Sequence, residues 1–296
     1  MRLNFVFVLF GLLVLHPALL AQYTPAYLPG TEILSLHSNI INQDFELSVK
    51  LPWSYEDSDT IYPVLFTTDA NRTFPIYSTL SHIYETPGAG SQEVIIVGIG
   101  YKVNKDRIIG LSEWALFRNR DLRPTRSMVS EKFWKERLSP VLGAEYYFPK
   151  SGGGADFLKF IQDELIPFIE ENYRVSKTDR GIAGYSLGGL FALYALFHAP
   201  ETFNRYFAGS PSLIEQCIKY EAEYADNHDK LKANILITAN ESEKQLQNEV
   251  QILMDSLLLR NYSGVTLETY VFKDENHISG GAAAISRALR VLYYNK

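Results

Sequence analysis

A single cysteine, Cys217, stands in a chain of 296 residues, so no intrachain disulfide and no cysteine-built metal site can exist. The signatures HExxH and GxxxxGKS/T and a strand-borne GxGxxG are missing as well, which removes the familiar zinc-protease, P-loop and dinucleotide readings and leaves no metal or organic cofactor implied. Cations are in the minority. The 28 Lys and Arg against 34 Asp and Glu leave a net charge of −6, the wrong sign for a nucleic-acid partner. Beyond residue 21 no apolar run is long enough to span a bilayer. There is no internal repeat, low-complexity tract or linker. With 46% hydrophobic and 21% charged residues, residues 22–296 are expected to form one domain around a large core.

The first 21 residues are of another kind. Arg2 precedes an apolar run from Phe5 to Leu15, His16-Pro17 breaks it, and Ala18-Leu19-Leu20-Ala21 leads into polar Gln22. The pattern is that of a secretory signal peptide cut after Ala21, which implies a secreted or periplasmic protein. An uncleaved N-terminal anchor is the alternative, since the run approaches the ~18 residues that suffice to span. Pro17 and the small Ala21 favour cleavage.

From Thr31 the chain alternates as two antiparallel strands, about Ile33–His37 and Phe45–Leu51, with Asn42-Gln43-Asp44 as the turn. Buried strands are expected at Tyr62–Thr68 and Val94–Gly100, each followed by loop material. The stretch from Tyr101 to Gly154 shows no period and reads as a functional loop or cap. A helix is expected over Ala155–Tyr173, kinked at Pro167. Strands at Tyr206–Gly209, Ile235–Ala239 and Thr266–Phe272 then alternate with helices near Leu213–Asp226, Lys244–Leu259 and Ala282–Tyr293. Such alternation predicts an α/β fold, a mostly parallel central sheet with helices on both faces.

The centre of this pattern is Gly184-Tyr185-Ser186-Leu187-Gly188, with an apolar strand before it and the apolar helical run Leu190, Leu193, Tyr194, Phe197 after it. A serine at so sharp a strand-to-helix turn is a nucleophile elbow. Gly184 and Gly188 let the flanking backbone pass close to the serine. The amide of Leu187, at the positive end of the helix, faces the oxygen on which charge develops in acyl transfer.

In a chain ordered nucleophile, acid, base, only His198, His228 and His277 follow Ser186. His198 lies about 18 Å along the elbow helix at ~1.5 Å per residue, and His228 sits in a polar helix end. His277 falls in the loop after the last strand and is the candidate general base. Strand Ile235–Ala239 ends in Asn240-Glu241-Ser242-Glu243, which offers two carboxylates to orient it. Glu243 is favoured over Glu241, and Asp274 is a third choice.

Four stretches, Phe157–Glu170, Gly184–Phe191, Ala208–Leu213 and Asn276–Ser279, together resemble the putative-esterase family of α/β-hydrolases. The sequence Val97-Gly98-Ile99-Gly100-Tyr101 followed by Arg118-Asn119-Arg120-Asp121-Leu122-Arg123-Pro124-Thr125 is similar to the siderophore esterases within it. The resemblance implies Ser186 and His277 as the catalytic pair, with Glu243 where better-known members carry their acid. Some siderophore esterases lack a conventional acid, so a Ser-His pair is the alternative. Where relatives have Asp-Gly after the third strand, this chain has Asp69-Ala70. The second oxyanion donor therefore falls to the amide of Ala70 or Asn71.

Arg118, Arg120, Arg123 and Arg126 put four cations in nine residues, just after Trp114 and Phe117. Guanidinium groups bind carboxylate and catecholate oxygens and stack on aromatic rings, so Arg118 and Arg120 are expected to bind substrate. The competing reading is a solvated loop balanced by Asp121. The function expected is an exported serine esterase for a small-molecule ester, with a catecholate siderophore as leading substrate. A general carboxylesterase on carbohydrate-linked or short acyl esters is the runner-up. A non-catalytic ligand-binding hydrolase fold is the third reading, and a fluorophosphonate probe separates it from the other two.

Overall fold

The computed structural model describes residues 28–86, 88 and 90–294, so the expected leader at 1–21 lies outside the described residues. They form one eight-stranded sheet. Its strands are β1 (Thr31–Ser38), β2 (Gln43–Lys50), β3 (Tyr62–Thr67), β4 (Ile95–Tyr101), β5 (Val175–Tyr185), β6 (Arg205–Gly209), β7 (Lys230–Asn240) and β8 (Ser263–Phe272). They lie in the order β1-β2-β4-β3-β5-β6-β7-β8. β1 pairs antiparallel with β2, and β2 with β4; every later pairing is parallel.

β3 and β4 are buried along their whole length, which is why they read as unbroken apolar runs rather than alternating ones. Side chains leave a strand alternately to either face. Val64, Phe66, Ile182, Tyr206 and Ile235 enter one core with α4 (Gly154–Phe160), α6 (Leu187–His198), α7 (Ile214–Ala225) and α8 (Lys244–Arg260). Leu65, Ile96, Ala183, Phe207 and Leu236 enter a second core with α1 (Ala70–Tyr84) and α9 (Gly280–Tyr293). Helices thus cover both faces, as the alternating pattern predicts.

Three expectations need correction. β3 is followed by the helix α1, whose buried stripe Phe74, Tyr77, Ser78 and Ser81 repeats at helical spacing but hides behind two serines. The stretch Tyr101–Gly154 is not irregular: it holds α2 (Arg107–Asp121) and α3 (Met128–Leu142). Asp106 caps α2, its carboxylate accepting from the amides of Ile108 and Ile109, and Ser127 caps α3 through the amide of Ser130. α3 buries only Leu138, so no apolar period marks it in the sequence. Arg118 and Arg120 accordingly lie on a helix, not in a loop. Lastly, the expected kink at Pro167 is a widened π turn over Ile161–Leu165, joining α4 to α5 (Ile166–Asn172). The amide of Ile166 reaches back to the carbonyl of Ile161, and Pro167, with no N–H of its own, follows directly.

One fully buried ion pair ties α1 to β2. Lys50 at the end of β2 meets Glu85 at the end of α1, each side chain 1% exposed. Ser81 accepts from Lys50 at 3.1 Å, and the amide of Val94 donates to Glu85 at 3.2 Å. Burial pushes the Lys50 ammonium below its ordinary range against the pull of Glu85. Removing one partner strands the other charge in a dry site. Glu85→Ala should therefore lower stability by about 3–5 kcal/mol, whereas Lys50→Met with Glu85→Leu should recover most of that loss. Urea melts of both variants check this; equal losses in the two would show that packing, not the stranded charge, sets the cost.

Candidate active site

The site is assembled where the carboxyl ends of β3, β5, β6 and β7 meet, the ligand side of an open α/β sheet. Ser186 links β5 to α6 with φ 60° and ψ −119°, a backbone strain of about 1–3 kcal/mol for a residue with a Cβ. The turn can close because its glycines touch. A Cβ on Gly184 would sit 2.2 Å from the carbonyl of Gly188, and one on Gly188 would sit 2.3 Å from the Thr68 hydroxyl. The Ser186 amide donates to Gly209 at 2.8 Å, and its carbonyl accepts from Ser212 at 3.1 Å, so the elbow is stitched to the end of β6.

His277 lies between β8 and α9. Its Nδ1 meets Glu243 Oε1 at 2.6 Å, and its ring packs on Tyr185 with centroids 5.3 Å apart. The other carboxylate oxygen of Glu243 accepts from the Ser210 hydroxyl at 2.5 Å, the Asn240 amide at 2.9 Å and Asn240 Nδ2 at 2.8 Å. Burial alone would raise the Glu243 carboxyl, but Ser210, His277 and Asn240 outweigh it and hold the group below its ordinary range. Asn240 Nδ2 also donates to the Tyr185 hydroxyl at 2.8 Å.

Of the three acid candidates, then, Glu243 faces His277. Glu241 instead accepts from the backbone amide of Asp274 at 2.9 Å, so its carboxylate serves the turn after β8. The Ser186 hydroxyl bonds Ser212 Oγ at 3.1 Å rather than the imidazole. Ser212 and Ser210, with Glu243 and His277, line an open cleft of about 440 Å³.

Asp69, two residues past β3 and just before α1, takes the left-handed conformation, φ 59°. The amides of Ala70 and Asn71 in the first turn of α1, like that of Leu187 at the start of α6, have no acceptor among the described residues. The Asn71 side chain is occupied elsewhere, exchanging two 2.8 Å bonds with the backbone of Tyr101.

The two arginines expected to meet substrate are held by carboxylates. Arg118 grips Asp69 through two bonds of 2.8 and 2.9 Å. Arg120 grips Asp121 at 2.6 and 2.8 Å and borders a separate cleft of about 850 Å³ with Phe117, Tyr147 and Lys150. His198 and His228 lie apart from the site, stacked on Tyr194 and Tyr224, in one cavity beyond the amino ends of the strands. Cys217 is wholly buried on α7, and burial pushes its thiol upward.

Sequence reasoning missed Ser210, Ser212, Asn240 and Tyr185. Ser210 and Ser212 lie inside Ala208–Leu213, and their nearness to the elbow follows from the β5–β6 pairing of Tyr185 with Gly209. Asn240 carries no sequence signal beyond its place at a strand end.

With this geometry in hand, likeness to known proteins can be stated. A family profile described as "Putative esterase" matches residues 130–256. Ferri-bacillibactin esterase BesA of Bacillus subtilis is 30% identical over 279 residues, 89% of each chain. The siderophore triacetylfusarinine C esterase of Aspergillus fumigatus is 30% identical over 207 residues, 68% of this chain and 62% of that one. Among solved structures, the BES protein of Bacillus cereus superimposes with a TM-score of 0.76 at 24% identity, over 93% of this chain and 99% of that one, which establishes the α/β-hydrolase fold. On these grounds the chain belongs to the putative-esterase family, as a serine hydrolase acting on carboxylic ester bonds.

Proposed function

We propose that this esterase opens the ester bonds of siderophores carrying aromatic, anionic acyl groups, with Ser186 as nucleophile, His277 as general base and Glu243 as the carboxylate that orients it. The observation that carries the reading is the 2.6 Å contact of His277 with a Glu243 already held by three other donors, beside a serine on a strained elbow. The siderophore substrate is supported by what the two relatives are named for, ferri-bacillibactin and triacetylfusarinine C.

The steps follow from the placement of groups. Glu243 takes the Nδ1 proton of His277 as a hydrogen bond, which leaves Nε2 as the lone-pair nitrogen. The Ser186 hydroxyl turns from Ser212 toward that nitrogen, gives up its proton as Oγ bonds the ester carbonyl carbon, and the carbonyl oxygen becomes an oxyanion. The amides of Leu187 and of Asn71 or Ala70 donate to it. The intermediate collapses, the alcohol leaves with the proton from His277, and water releases the acyl group by the same steps reversed. Export through residues 1–21 belongs to the same proposal, supported by the run Phe5–Leu15 and by Ala21. N-terminal sequencing of the exported protein should then begin at Gln22; a chain still starting at Met1 would favour the anchor.

Ser186→Ala should lower kcat by roughly three to six powers of ten with the melting temperature preserved, and should lose labelling by a fluorophosphonate. A variant that still turns over would remove Ser186 from the mechanism.

Glu243, held below its ordinary range, keeps its carboxylate ionised to lower pH than a free glutamate, so the acceptor for Nδ1 stays in place. Glu243→Gln should cost about a hundred- to ten-thousand-fold in kcat/KM, because an amide donor facing Nδ1 turns the imidazole to the wrong tautomer. His277→Gln should abolish turnover, and Glu241→Gln should leave it in place. If Glu243→Gln is silent, Ser186 and His277 work as a pair without an acid.

A further inference from the structure

The guanidinium groups near the site sort by what they hold. Arg118, Arg120 and Arg126 each grip a carboxylate, Asp69, Asp121 and Glu131 respectively. Their Nε and Nη2 edge, the one suited to a planar anion, is already used. Arg72 and Arg123 differ: neither has a carboxylate partner among the described residues.

Arg72 is exposed on the first turn of α1, where its amide donates to the carbonyl of Asp69 at 2.9 Å. Its guanidinium carbon lies 5.1 Å from the centre of the Trp114 ring, over which Arg118 also lies at 4.9 Å. Stacking occupies the flat face of the Arg72 group and leaves its N–H edge open. Arg123 follows α2, with its carbonyl accepting from Gly154 at 3.1 Å and its Nε donating to Asn119 Oδ1 at 2.9 Å. Burial, and then repulsion from Arg118, press its guanidinium below the ordinary range, a condition that an anion would relieve.

The Arg118–Asp69 pair links these groups to the elbow. The Asp69 carboxylate lies 3.6 Å from the point a Cβ on Gly188 would occupy, two residues past Ser186. Asp69 neutralises Arg118, so Arg72, which shares the Trp114 ring with Arg118, and Arg123, which is repelled by Arg118, remain the two arginines of this cluster without a carboxylate partner among the described residues. The glycine seam holds this arrangement. A Cβ on Gly154 would come within 2.8 Å of Pro124, and one on Gly152 within 2.7 Å of the Arg126 amide.

We propose that Arg72 and Arg123, rather than the carboxylate-bound Arg118 and Arg120, read the charge of the substrate, taking a polyanionic aromatic acyl group such as an iron-bound catecholate. The proposal rests on the siderophore-esterase reading above but assigns its specificity to different residues. Such contacts are made equally in ground and transition states, so they act on KM more than on kcat.

Two measurements on the full chain test it. Calorimetry with ferric tris(2,3-dihydroxybenzoate) should give a Kd raised about tenfold by Arg72→Ala and again by Arg123→Gln, as expected for a lost charge-assisted contact. The glutamine can still donate to Asn119, so that packing is kept. Kinetics with monomethyl terephthalate, whose acyl group is aromatic and anionic, and with neutral methyl benzoate should show the ratio of their KM values rising by a similar factor in each variant. Added salt should imitate the substitutions by screening exposed charge. An unchanged Kd in the double variant, or equal KM losses on the charged and neutral esters, overturns the assignment. If siderophore trilactones are cleaved but neither substitution matters, this inference alone fails. If the ferric complex binds through both arginines yet no siderophore ester is cleaved, the assignment stands and the proposed function fails.

Discussion

The contact between Gly184 and Gly188 is the constraint from which the rest of the site follows. Two backbones can pass at that distance only when neither carries a side chain. The contact makes the reversal from β5 into α6 sharp enough to put Ser186 alone at its tip, and it also brings Thr68, at the end of β3, against the helix start. Asp69, at the start of α1, thereby comes close to the start of α6. A methyl group at either glycine would separate the two and put the serine elsewhere.

The same strand ends carry a second regularity. Non-glycine residues with positive φ follow β3, β5, β6 and β8: Asp69, Ser186, Ser210 and Asp274. Each turns the chain abruptly beyond its strand instead of letting it continue along the sheet. Strain of about 1–3 kcal/mol apiece persists only where neighbours over-determine it. The neighbours are evident: Asp69 is clamped by Arg118, Ser210 is bonded to Glu243 and Asn240, and the Asp274 amide is bonded to Glu241. The polar network around Glu243 thus holds the carboxylate for His277 and also holds the backbone that carries Ser210.

How much of this was legible in the sequence depends on range. Gly184-Tyr185-Ser186-Leu187-Gly188 is local, and its strand-turn-helix context could be read directly. His277 could be reached by elimination, because chain order restricts the candidates to three histidines. Glu243 could be preferred to Glu241 and Asp274 but not fixed, because the choice turns on side-chain direction, and the two glutamates stand only two residues apart at one strand end. α2 and α3 escaped notice because helices that bury few apolar residues, and are fixed by caps at Asp106 and Ser127, show no period of 3.6. The arginines illustrate the same limit. Four cations in nine residues are visible as composition, but which of them meets a carboxylate depends on Asp69, 49 residues away from Arg118.

The strained elbow needs a counterweight, and the helix behind it supplies one. From Leu187 to Phe197 every residue of α6 is buried, so the helix is apolar on all sides and packed between the sheet and its neighbours. Leu190, Phe191, Leu193 and Leu196 have no exposed surface at all, and each such side chain contributes about 1.5–3 kcal/mol relative to exposure. The sum exceeds the strain at Ser186 several-fold. α6 cannot slide or unwind to relax that residue without exposing the centre of the larger core. Ser186 is therefore held in an unfavourable conformation by the burial of the helix behind it.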